Sequence, residues 1–196
     1  MREASRYYQR ITIFLASPVD LERERATVRT VAAEFNRTWS GFLGVELEIV
    51  GWEDVPSGIA QDPQEVINRY VGNDYNVFLG LMGTSLGSPT GRAASGTVEE
   101  YERALARWQI DPEAVQLKFY FRTIPSGRRR VAAPAAVEEF KVRLDRDGVL
   151  YKIFHNARDL EQMLRHDLSI TAQEWFSRKL EAEAEPATGD AGSRDG

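Results

Sequence analysis

Apolar residues along this chain alternate between short β-rich runs and longer stretches in which they return every three or four positions. "ITIFLAS" reads as a first strand. In the following "SPVDLERERATVRTVAAEFNRTW", Ser17 is the expected N-cap, with Pro18 at the first helical position and Asp20 in the capping turn. Val28, Val31, Ala32, Phe35 and Trp39 repeat at helical spacing and form its expected buried stripe. "VELEIVGWED" is a second strand, and "DPQEVINRYV" a short helix with Asp62 as cap. The nearly unbroken apolar run "NVFLGLMG" fits a central parallel strand covered on both faces. A helix from about Thr97 to Gln109, the strand "VQLKFYF", the helix "PAAVEEFKVRLDRDG" closed by Gly148, the strand "VLYKIFH" and a helix from about Arg158 to Glu183 complete the pattern.

Five β-α units in strict alternation imply a parallel sheet with helices on both faces, because right-handed crossovers lay each helix back on the sheet. The expected fold is α/β, a flavodoxin-like three-layer sandwich whose five-stranded parallel sheet has the order 2-1-3-4-5. One domain over residues 10–182 accounts for the pattern. The remaining 183–196 are too poor in apolar residues to order themselves and read as a disordered tail or a linker.

Composition narrows the function classes. A net charge of -5 and a pI near 5.2 argue against a nucleic-acid binder, and the basic run Arg128, Arg129 and Arg130 reads as a solvated loop. The absence of cysteine removes disulfides, thiolate zinc sites and cysteine nucleophiles. His155 and His166 lack partners at metal-ligand spacing, so no metal site is expected. "MREASRYYQR" lacks the apolar stretch of a signal peptide, and no run approaches the ~18 apolar residues of a membrane span. A soluble, cytoplasmic chain is the expectation, with no membrane partner.

In a sheet of this order, ligands bind beyond the carboxyl ends of the strands, where strands one and three send their helices to opposite faces. The loops there are "SPVD", "GWEDVPSG" and the long "GTSLGSPTGRAASG". Its glycines, Gly83 and Gly87 among them, match neither a P-loop nor a dinucleotide fingerprint. The helix that follows is more informative. Val98, Tyr101, Leu105 and Trp108 form its expected buried stripe. At 100° per residue, Glu99 then points away to solvent while Glu100, in the first turn, flanks the stripe and faces the crevice. The helix dipole favours the ionised form of a carboxylate at this end. Complementing that dipole is the alternative role for the pair, as capping is for Asp20 and core packing for Trp52.

Taken together, "ITIFLASPVDLERER", "GWEDVPSG" with "DPQEVINRYV", and "DYNVFLGLMGTSLGSPTGRAASGTVEEYERAL" resemble a TIR-like domain family of unknown function found at the N-terminus of NACHT-type STAND ATPases. The resemblance runs from about Arg10 to Trp108. That family is similar to TIR domains and nucleoside 2-deoxyribosyltransferases, which cleave N-glycosidic bonds with a glutamate at the start of a crevice helix. The transferase motif, approximately Gly-Thr-x-x-Glu-x-Gly-x-Ala, falls on Gly96, Thr97, Glu100 and Ala104, and departs from it at Glu102. The resemblance implies an effector domain, of the kind used in bacterial defence, that binds a nucleotide such as NAD as substrate. Glu100 would be its catalytic carboxylate, and Ser17, Asp20, Trp52, Glu53, Gly83, Gly87, Thr90, Ser95 and Thr97 would line the site. It equally implies a non-catalytic module that self-associates or serves a STAND-type sensor.

Overall fold

A computed structural model describes residues 8–56, 63–123 and 134–184. The first strand, β1 (Gln9–Ala16), is followed by α1 (Glu22–Phe35), a short helical turn α2 (Gly41–Leu43) and β2 (Val45–Gly51). Then come α3 (Pro63–Val71), β3 (Val77–Met82), α4 (Gly96–Ile110), β4 (Gln116–Arg122), α5 (Ala135–Arg146), β5 (Tyr151–Phe154) and α6 (Ala157–Ala184). All neighbouring strands pair in parallel, in the expected order β2-β1-β3-β4-β5.

The alternation along β1 divides the core. Ile11, Ile13 and Leu15 point into a layer closed by α1 and α6, which also holds Val28, Leu164 and Leu168. Phe14 and Ala16 point into the opposite layer, where Phe78, Phe119, Phe121 and Phe140 pack with Tyr101 of α4. Every residue of β3 is buried, as a central parallel strand requires. Gly80 belongs to that packing, because a Cβ there would lie 2.2 Å from the Phe119 ring.

Two helix boundaries differ from the sequence pattern. The chain leaves β1 through an extended Pro18 (ψ 158°) into a 3₁₀ turn, Val19–Leu21, so α1 begins at Glu22 and Ser17 does not cap it. At its other end α1 gives way at Asn36 to a π turn, Asn36–Ser40. The Asn36 amide turns away to hold both the N–H and the C=O of Leu47, each at 2.9 Å. The wider turn shifts the helical phase, and Trp39, placed in the buried stripe by its spacing, is 48% exposed. The proposed cap Asp62 and the basic run 128–130 lie outside the described residues.

Candidate functional site

Beyond the ends of β1 and β2 the organising side chain is Arg25, which the sequence reading missed. It occupies the position between Leu21 and Val28 on the buried face of α1 and is itself 4% exposed. Its guanidinium donates to the Pro18 carbonyl (2.7 Å), to the Ser17 hydroxyl (3.2 Å) and to Glu53 (2.8 Å), and lies 5.2 Å from the centre of the Trp52 ring. Ser17, Trp52 and Glu53 are thus gathered around one cation. The Trp52 Nε1 is sealed from solvent without a hydrogen-bond partner among the described residues, and its ring packs beside the Arg25 guanidinium. Asp54 accepts from Arg29 and from the Gly51 N–H, both at 2.8 Å, which fixes the turn carrying Trp52 and Glu53.

The loop after β3 lies directly against the loop after β1. A Cβ on Gly83 would stand 3.4 Å from Asp20 Oδ2 and 3.2 Å from Leu21, and one on Gly87 would stand 3.6 Å from both Pro18 and Ser95. Gly87 also holds φ +97°, a backbone state that L side chains rarely adopt. The two loops close on each other at the switch point. The described residues leave a groove of about 190 Å³ elsewhere, between α1 and α6, beside Phe35, Trp39 and Arg165.

The start of α4 holds the densest polar arrangement. Ser95 is its N-cap, fully buried, accepting from the Val98 N–H at 3.2 Å. Thr97 is buried beside it. Glu99, expected in solvent, is 8% exposed. It accepts from Thr90 (2.6 Å) and Arg92 (3.0 Å) of the loop and from Asn68 of α3 (2.9 Å). Glu99 is buried because α3 on one side and the returning loop on the other cover the flank that helical phase alone leaves open. Glu100 is 6% exposed and accepts from Gln64 Nε2 at 2.8 Å. Gly96 makes that contact fit, since a Cβ there would fall 2.4 Å from Gln64 Oε1 and displace the amide. Glu102, where the transferase motif has glycine, turns to the other flank and accepts from Arg143 of α5 at 2.7 Å.

Their surroundings shift the two adjacent carboxylates in opposite directions. Burial pushes the Glu100 carboxyl up to about 7, reinforced by the charge of Glu99 and only partly opposed by Gln64 and Arg103. The helix dipole, which favours the ionised form, does not prevail against this desolvation. Burial acts on Glu99 in the same direction, but the donors Thr90, Arg92 and Asn68 outweigh it and hold the group below the ordinary glutamate range. One acid therefore stays ionised through the neutral range while its neighbour exchanges its proton within it.

Residues 12–169 match a family described only as a domain of unknown function, DUF4062. The chain belongs to the DUF4062 family. No curated protein matches it.

Within this DUF4062 domain the residues expected to form one site fall into two groups. Ser17, Trp52 and Glu53 gather on Arg25, with Asp20, Gly83 and Gly87 at the loop contact. Thr90, Ser95 and Thr97 stand with Glu99 and Glu100 at the head of α4. Gln64 and Asn68 were missed, although an amide pair four residues apart on a short helix is a legible signal of a shared polar face. Arg25 was legible as a cation in phase with an apolar stripe. Among the described residues no group of three or more His, Asp or Glu is placed to hold a metal ion, and no helix is long and apolar enough to cross a membrane.

Proposed function

We propose that this domain binds a nucleotide such as NAD and cleaves its N-glycosidic bond, with Glu100 as the catalytic carboxylate. One observation carries the reading: of two adjacent buried glutamates at the head of α4, Glu99 is held by Thr90, Arg92 and Asn68, which keep it ionised, while Glu100 accepts only from Gln64 among the described residues, and burial raises it to about 7. A buried carboxylate with little solvation stabilises positive charge strongly. The anomeric carbon acquires such charge as the bond to the base breaks. Glu100 is poorly satisfied before the reaction and best satisfied at the oxocarbenium-like transition state, the differential that accelerates a chemical step. Because Glu102 is drawn toward α5, the α3-facing flank of Glu100 is free of that side chain.

The test is nicotinamide release from NAD by the purified chain at high concentration, beside Glu100→Gln checked for folding by its melting transition. Release by the wild type and a loss of at least about 100-fold in the variant is the expected result. No release by the wild type, or equal release by both, contradicts it.

A second reading, a TIR-like interaction module serving a STAND-type sensor, draws on a different feature. The edge of the sheet at β5 displays Ile153 at 41% exposure, preceded by Leu150 at 91%, the kind of apolar edge that self-association covers. Sedimentation of the wild type beside Leu150→Glu distinguishes the two: a concentration-dependent oligomer lost in the variant, without nicotinamide release, favours the module.

A further inference from the structure

The α6-facing side of β4 is polar along its length. Gln116, Lys118, Tyr120 and Arg122 alternate with Leu117, Phe119 and Phe121, which pack in the opposite layer. A strand with neighbours on both sides and helices on both faces is ordinarily apolar throughout. Most of this row is matched by partners. Gln116 accepts from Thr171 (3.1 Å) and donates to Glu174 (2.8 Å). Tyr120 donates to Asp167 Oδ2 and Lys152 of β5 to Asp167 Oδ1, both at 2.6 Å. Arg122 pairs with Glu24 at 2.9 Å.

Lys118 differs. Both oxygens of Asp167 are engaged, Glu174 receives Gln116, and Lys118 has no hydrogen bond or ion pair among the described residues. Its stem is half-buried, but its nitrogen is not among the polar atoms sealed from solvent. The groups that face it are Asp167 and Glu174 from α6 and the Lys152 ammonium from β5. Burial lowers its pKa and Lys152 lowers it further, and together they outweigh the two carboxylates.

We propose that Lys118 is a modification site, a nucleophilic amine that takes acyl groups from activated donors of the acyl phosphate class. The neutral Nζ attacks the carbonyl carbon, the N–C bond forms, and the C–O bond to phosphate breaks with its electron pair leaving on phosphate. The nitrogen's extra proton passes to water, and the product is a neutral amide; nothing is oxidised or reduced. This reaction lies on the α6 side of the sheet and is independent of Glu100 on the α3 side.

The chain has four lysines, Lys118, Lys141, Lys152 and Lys179, so acylation is mapped cleanly. The full chain is treated with limiting acetyl phosphate at about pH 7.5, where ordinary lysines are almost wholly protonated, and peptides are quantified by mass spectrometry. Lys118 is expected to react at least about threefold faster than Lys152, although the Lys152 side chain is itself 43% exposed. Lys152→Gln frees an oxygen of Asp167 for Lys118 and removes the neighbouring charge, so it is expected to slow Lys118 by at least about twofold. Lys152 reacting as fast as Lys118 in the wild type, which needs no variant to fold, overturns the proposal. An unchanged Lys118 rate in a folded Lys152→Gln chain overturns it too.

Discussion

At the scale of single residues the consequences follow from where protons and charges are held. Glu100 has a folded pKa raised from 4.5 to about 7, so between these values the folded state keeps a proton that the unfolded state has lost. Stability therefore falls as pH rises from about 4.5 to about 7 and stays lower above, the reverse of an ion-paired carboxylate. Glu100→Gln retains an acceptor for Gln64 without the buried charge. It is expected to be more stable than the wild type by about 2–3 kcal/mol at pH 8, with the difference gone by about pH 4.5, as read from denaturant unfolding at both values. Arg25 makes the opposite prediction. Arg25→Met strips donors from the Pro18 carbonyl, Ser17 and Glu53 and is expected to cost about 2–4 kcal/mol in the same measurement.

At the scale of elements, the loop after β3 and helix α4 act as one unit because Glu99 ties them. Thr90 and Arg92 reach back to a carboxylate that Asn68 of α3 also holds, and the Thr90 hydroxyl in turn accepts from the Ala93 N–H at 3.1 Å. Thr90→Val removes both links while keeping the shape, and is expected to cost about 1–2 kcal/mol. Amide exchange across residues 84–95 should speed up with the α4 core protected as before; unchanged exchange in the loop contradicts the tether. The sequence made the loop legible through its glycines and placed the helix start at about Thr97, one residue after the observed Gly96. It did not reveal that Glu99 is buried, because helical phase describes one helix against one sheet and α3 supplies a second surface. The π turn at Asn36 escaped for a related reason: the Asn36 amide serves Leu47 across space, and a period of 3.6 carries no sign of that demand.

At the scale of the whole molecule, alternating β and α segments were enough to give the layers and the strand order, since handedness and burial leave few arrangements for five such units. The site was legible only in part. Helical phase and the resemblance both selected Glu100, which the structure buries just after the first turn of α4, against Gln64 of α3. Its protonation was read with the wrong sign, because a dipole is visible in sequence and desolvation by α3 is not. The grouping of Ser17, Trp52 and Glu53 on Arg25 was likewise hidden, since it depends on one cation projecting from α1 into the ends of two strands. The working form of Glu100 in the proposed reaction is the carboxylate, and its share grows as pH rises through about 7. The decisive measurement is the rate of nicotinamide release from NAD between about pH 5 and pH 9, for the wild type and for Glu100→Gln. A rising limb with its midpoint near 7 that disappears in the variant is expected; a rate that falls or stays level across that range, or a rising limb that survives in Glu100→Gln, contradicts a catalytic Glu100 carboxylate.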